Sequence, residues 1–195
     1  MLHVFHSQKI EMNSPTVILF HSRAGKDAVF LSNMFPLERS MTVEYHDMLD
    51  DDGHPHKLGP FSAAEPAFHA GKHLPHTDMN TLVKKFCGPE VSGHAAKRRG
   101  GRRAMPMTCE QLREWEGDGD MDARRVRVMR DVLRAKFGDP HLRQRLLDTG
   151  DAELVERLPR FADAFWGTLN NGEGKNVLGR LLMEERARIR RENAN

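Results

Sequence analysis

Apolar positions in the first sixty residues are spaced for strands, and those beyond are spaced mostly for helices. Residues 16–20 (TVILF) form a short run rich in β-branched side chains and predict a buried strand after Ser14-Pro15. Residues 28–34 (AVFLSNM) predict a second extended segment, ending at Ser32-Asn33. The run 48–60, with Asp50-Asp51-Asp52-Gly53, Pro55 and Pro60, predicts a turn or hairpin loop between short strands.

Helical spacing begins at Ser62. Ser62 and Glu65 stand at capping-box spacing and Pro66 falls in the first turn, so a helix is predicted from there to about Leu74, before Pro75. Ser92 is placed to cap a short helix through Arg99, ended by Gly100-Gly101. Residues 100–121 are polar, Met-rich and glycine-punctuated, which predicts a long irregular segment. Asp122 is expected to cap a helix bearing Val126, Met129, Leu133 and Phe137 at helical spacing. Asp139-Pro140 opens another, with Leu142, Leu146 and Leu147 before Gly150. Residues 153–156 read as a short strand. A final helix over 175–191 carries Leu178, Leu181, Leu182 and Ile189 on one side. A few short strands in the N-terminal third, then mostly helices, predict an α+β, helix-rich single domain. Residues 1–15 read as an N-terminal extension and 16–192 as the domain.

The 195 residues suffice for one domain with a real core. Charged residues make up 30% of the chain, yet the formal net charge is only +2, which describes a well-solvated surface without a dominant sign. No apolar run reaches the roughly 18 residues of a membrane span, so no membrane partner is expected. The first residues lack the pattern of a signal peptide. Cys87 and Cys109 form neither a CxxC nor a zinc pattern, so a reducing cytoplasm is the expected location.

Candidate chemistry concentrates in residues 165–186, FWGTLNNGEGKNVLGRLLMEER. Trp166-Gly167 leads into a loop in which Gly172 and Gly174 let the backbone approach a ligand. The helix opening near Lys175 or Asn176 offers free N–H groups to a phosphate. Asp163 sets a carboxylate beside Trp166, so the segment suits a phosphorylated, ring-bearing small molecule. A glycine-capped helix around a core Trp explains the same residues about equally well. On the helix from Ser62, Glu65 and Lys72 share a face about 10 Å apart along the axis, close enough to bend towards one ligand. A capping Glu and a solvated Lys are the plainer reading of that spacing. His69 and His73 are also one turn apart. Ala70 stands where a zinc-protease helix would carry Glu, and Lys72 would repel a cation, so no metal is expected. The run 97–103 (KRRGGRR), with Arg102 within it, suits the phosphates of a nucleotide or a nucleic-acid backbone, or else is a solvated loop.

In this order the pieces resemble the NADAR family, whose bacterial YbiA-like members are N-glycosidases. The matching blocks are FLSNMFP (30–36), FSAAEPAFHAGKH (61–73), RVRVMRDVLRAKF (125–137), LLDTGDAELVE (146–156) and DAFWGTLNNGEGKNVLGRLLM (163–183). The helix reads EPAFHAGKH where YbiA-like proteins carry EHYFQAQKF. The resemblance implies a YbiA-like α+β fold and hydrolysis of an N-glycosidic bond with no cofactor. It implies a phosphorylated ribosyl substrate, either a riboflavin-biosynthesis intermediate or ADP-ribose attached to guanine, with nucleic acid as one carrier of the modification. By the same resemblance, Glu65, Lys72, Asp163 and Trp166 fall on active-site positions, and Ser32, Asn33 and the loop from Gly172 to Asn176 face the ligand. A lysine imine at C1′ is the expected intermediate, because that carbon is at the aldehyde oxidation level. Direct attack by water activated by Glu65 is the rival route. Two other functions stay open: a module that binds ADP-ribose without cleaving it, and a nucleic-acid-associated enzyme that removes ADP-ribose.

Overall fold

Two small sheets carry the strands. The computed structural model describes residues 16–118, 121–158 and 164–194. β1 (Val17–Phe20) pairs in parallel with β4 (Glu153–Glu156), in register from Val17 opposite Glu153 to Phe20 opposite Glu156. The strand expected to be buried is therefore a half-covered edge. Val17 and Leu19 are 49% and 48% exposed while Phe20 is fully buried, the alternation a one-sided sheet imposes. Residues 28–34 are not extended either. Val29–Leu31 forms a 3₁₀ turn that buries Phe30 and Leu31, an outcome that a short apolar run does not distinguish from a strand.

β2 (Met41–Leu49) and β3 (Pro55–Phe61) make an antiparallel hairpin. Its turn is fixed by the Asp50 carboxylate, which accepts the N–H groups of Asp52 and His54. Residues 55–60 thus belong to a strand rather than to the expected loop. The buried Tyr45 anchors the hairpin by donating its hydroxyl to the Ala67 carbonyl at 2.8 Å.

The next helix, α1 (Ala64–His73), starts without the expected capping box. Ala63 is its N-cap and no side chain bonds there. Ser62 instead donates its hydroxyl to the Val91 carbonyl at 2.5 Å. The Glu65 N–H goes to the Asn33 carbonyl at 3.0 Å, so its carboxylate is not spent on a cap. α2 (Met79–Phe86), absent from the sequence reading, is capped by Asp78. α3 (Gly93–Arg99) is capped by Ser92, as expected.

The segment expected to be irregular contains α4 (Cys109–Glu116), which has a complete Thr108–Gln111 capping box and buries Trp115. α5 (Arg124–Lys136) has Ala123, not Asp122, at its N-cap. α6 (Pro140–Asp148) is capped by Asp139, as expected. α7 (Val177–Ala194) closes the domain. The architecture is α+β in one domain. No helix among the described residues is long and apolar enough to cross a membrane.

β4 has β1 on one edge and Asn176 on the other. Asn176 adopts a left-handed backbone, φ 48°, which Asn tolerates better than most residues. Its Oδ1 accepts the Glu156 N–H at 3.0 Å, and its Nδ2 donates to the Leu154 carbonyl at 2.9 Å. The Asn176 amide, with Thr168 bridging the end of β4, thus takes the place of a third strand. Gly179 permits the same approach, since a Cβ there would overlap the Leu154 carbonyl.

Asn176→Ala strands two strand-edge groups and loses the tolerance for positive φ. It should lower unfolding free energy by about 1–3 kcal/mol for each group left unpaired. Urea denaturation with an unchanged m-value checks this; a loss below about 0.5 kcal/mol would contradict it.

Candidate active site

Three chain segments converge on the N-terminal turn of α1. The 3₁₀ turn delivers Ser32 and Asn33, α1 delivers Glu65, Phe68 and His69, and the end of β4 delivers Glu156, Arg157 and Leu158. With Trp166, Met129, His94 and Lys97 they line a cavity of ≈ 450 Å³, within the usual range for a small-molecule site. A second lobe of ≈ 450 Å³ shares His21, Ser22, His94, Arg157 and Leu158 with the first and adds Arg23 and Asn170. A larger cavity of ≈ 520 Å³ opens elsewhere, beside Lys136, His141 and Arg145, and holds none of the expected site residues.

Asn33 lies on the cavity wall with its Oδ1 buried and without a hydrogen-bond partner. A buried acceptor left unpaired is costly, and a ligand hydroxyl would satisfy it. The segment behind it is held by Lys136, which is fully buried and donates to the Ser32 carbonyl at 2.9 Å and the Leu31 carbonyl at 3.5 Å. Burial, with a smaller push from Arg145, lowers the Lys136 pKa to about 7.

On α1, the Glu65 carboxylate pairs with His69 Nε2 at 3.4 Å, one turn along the helix. His69 Nδ1 is buried and has no hydrogen-bond partner among the described residues. His73 Nε2 meets the Gly100 carbonyl at 3.0 Å. Burial drives its pKa down to about 4. These two imidazoles therefore face different partners and do not converge on an ion.

Trp166 packs edge-on against Phe68, with ring centroids 5.3 Å apart, and Phe68 in turn meets Trp115 at 5.2 Å. Lys72 is half-buried and is not among the residues lining the cavity that holds Glu65. Burial lowers its pKa, Glu116 opposes that shift, and Arg102 adds to it. Arg102 is exposed and also stands apart from the cavity. Asp163 lies outside the described residues.

The glycine loop is tied to the protein itself. The N–H groups of Lys175, Asn176, Val177 and Leu178 donate to the carbonyls of Ala164, Gly167, Phe165 and Trp166 respectively. These are the donors expected to hold a phosphate, and the structure commits all four to the Trp166 segment. Gly172 and Gly174 both have positive φ. A Cβ on Gly174 would overlap the Gly167 carbonyl, and one on Gly167 would lie 2.5 Å from the Glu156 carbonyl. Thr168 N–H also donates to the Glu156 carbonyl at 2.8 Å. The loop and the Trp-Gly pair thus fasten Trp166 beside the end of β4.

Glu156 was not among the residues singled out from the sequence. It is half-buried in the cavity wall, and no hydrogen bond or ion pair reaches its carboxyl among the described residues. Burial, then the nearby Glu65 charge, raises its pKa to about 7, with Lys97 opposing. The period of two in β4 held the clue. Leu154 points into the core, so Glu156 must lie on the same face.

A model of the NADAR domain matches residues 19–190. The chain belongs to the NADAR family. It is 37% identical over 158 residues to the N-glycosidase YbiA of Shigella boydii serotype 4, covering 75% of this chain and 88% of that one. It is 41% identical over 121 residues to the riboflavin biosynthesis protein VVA0006 of Vibrio vulnificus, covering 62% of this chain but 32% of that one. The NMR structure of the Escherichia coli protein YbiA aligns with a TM-score of 0.65 at 30% identity, covering 96% and 94% of the two chains. The NADAR fold is thus shared along nearly the whole length.

Lys136 supplies a pH test of how the NADAR cavity wall is held. Its folded pKa near 7 lies below the usual 10.5, so the unfolded chain binds more protons between those values. Stability must rise with pH across that window and fall as pH drops through 7. Urea denaturation at pH 6.5 and 9 should show wild type gaining stability relative to Lys136→Met as pH rises. A constant difference between the two proteins would contradict the burial of a neutral amine.

Proposed function

We propose that the two-lobed cavity binds a phosphorylated N-riboside and hydrolyses its N-glycosidic bond at Glu65. The chain is an N-glycosidase of the NADAR family, and the proposal concerns its substrate and the groups that act on it. One observation carries the reading. The Glu65 carboxylate, free of capping and held by His69, faces a cavity whose neighbouring lobe is rich in cations.

The ribose sits against Asn33, whose unpaired Oδ1 takes a sugar hydroxyl. The leaving base or precursor ring lies along Trp166 and Phe68, where an aromatic face and edge favour planar groups. The phosphate occupies the lobe bearing Arg23, Arg157, His21 and His94, since guanidinium groups match phosphate oxygens in charge and geometry. This suits a ribose phosphate carrying an amine or base, as in a riboflavin-pathway intermediate. An ADP-ribosyl group would extend through the same lobe.

Glu65 exchanges protons with the reacting groups. Positioned acid–base residues contribute about 10²–10⁴-fold. Glu65→Gln should lower kcat by that factor with its melting temperature within about 2 °C of wild type, and wild-type turnover in the folded variant would remove Glu65 from the reaction. Arg23→Ala should raise KM about tenfold for a 5′-phosphorylated riboside and leave the dephosphorylated one unchanged. Equal effects on both substrates would move the phosphate elsewhere.

A second route is favoured by the lowered pKa of Lys72. A neutral Lys72 amine can displace the departing nitrogen at C1′, giving an imine that water hydrolyses. For this, the ribose must reach Lys72, which is not among the residues lining the cavity. Turnover with borohydride then leaves a sugar on Lys72, seen as added mass on its peptide. Absence of an adduct together with activity in Lys72→Ala leaves direct attack by water.

A further inference from the structure

We infer that Glu156 is the proton donor to the leaving nitrogen and that Glu65 is the base that activates water. This rests on the reading that the cavity hydrolyses an N-riboside, and it divides between two carboxyls the work that one would otherwise perform in both directions.

The two carboxyls reach one cavity from different elements. Glu65 comes from the first turn of α1 and Glu156 from the last residue of β4, and both line the same cavity. Their surroundings differ. Glu65 stands 3.4 Å from His69 Nε2, one turn along α1. Among the described residues, Glu156 has no donor and no cation in contact, and it has a carboxylate for a neighbour. Its main-chain N–H is already taken by Asn176 and its carbonyl by Thr168. A group so placed is stabilised as the neutral acid, and its raised pKa agrees. The charged and titratable groups around it are Glu65 and His69 from α1, His94 and Lys97 from α3, His21 after β1, and Arg157 beside it. Two carboxyl groups kept in opposite protonation states are the working pair of glycoside hydrolysis in general.

The step balances. The C1′–N bond breaks with its electron pair going to nitrogen, which takes the Glu156 proton. A water oxygen bonds to C1′ and its proton passes to Glu65. The products are the free amine and the ribose phosphate. One proton returning from Glu65 to Glu156, directly or through water, restores the starting state.

The test uses wild type, Glu156→Gln and Glu156→Asp with an N-riboside 5′-phosphate that wild type cleaves, across pH 5 to 9. Wild type should give a bell whose alkaline limb falls near pH 7. Glu156→Gln should lose about 10²–10⁴-fold in kcat and lose that limb while keeping KM. Glu156→Asp should recover part of the rate with the limb displaced. A wild-type rate and an unchanged alkaline limb in folded Glu156→Gln would overturn the assignment. Titration of ¹³C-labelled glutamate carboxyls by NMR gives a readout independent of turnover. Glu156 should titrate near 7 and move down in Glu65→Gln, where its charged neighbour is gone. If wild type cleaves no N-riboside, the functional reading fails while that titration still reports on the pair. A Glu156 that titrates near 4.5, with no response to Glu65→Gln, would overturn the pairing by itself.

Discussion

The structure depends on how one amide side chain finishes a two-stranded sheet. β4 pairs with a strand on one edge, and on the other Thr168 bridges only its end, which would leave groups before it unpaired. Asn176 supplies an acceptor and a donor in the positions a third strand would use. Since Asn176 immediately precedes α7, the same bonds dock that helix on the sheet, with Gly179 admitting the Leu154 carbonyl. The chain leading into Asn176 then satisfies its own helix start with the carbonyls around Trp166. One local constraint thereby fixes Glu156, Trp166 and the start of α7 together, without a large sheet.

The opposite wall is built with the same economy. α1 begins without a side-chain cap, and the Glu65 N–H is answered by the Asn33 carbonyl. That bond ties the helix start to the segment that Lys136 holds from behind. The carboxylate that a capping box would have consumed is left facing the cavity. His69, one turn later, reaches it along the helix surface. Cavity shape and the placement of the Glu65 carboxylate therefore come from the same backbone bonds, which Lys136 holds from behind.

Much of this was legible in the sequence, for physical reasons that differ by element. Helices α3, α6 and α7 announced themselves because Ser92, Asp139 and a periodic leucine face leave local signals. The capping box at Ser62 misled, because Ser62 found a tertiary partner in the Val91 carbonyl. α4 was hidden by polar composition, since its single large buried side chain is Trp115. The turn at Val29–Leu31 read as strand because three apolar residues carry no period. At the site, Glu65, Ser32, Asn33 and Trp166 line one cavity, while Lys72 and Arg102 stand apart from it. Gly167 and Gly174 serve close packing within the fold and Gly172 a positive φ, roles that sequence alone weighs equally with ligand approach. Glu156 was missed because a lone glutamate in a four-residue strand resembles a surface charge until the strand is docked.

The most direct test is a crystal structure of Glu65→Gln with ribose 5-phosphate. The account predicts phosphate oxygens on Arg23 and Arg157, a sugar hydroxyl on Asn33 Oδ1, and C1 between residue 65 and Glu156, within hydrogen-bond reach of both through its hydroxyl. A sugar seated beside Lys72 and Arg102, with the cavity at Glu156 empty, would contradict it.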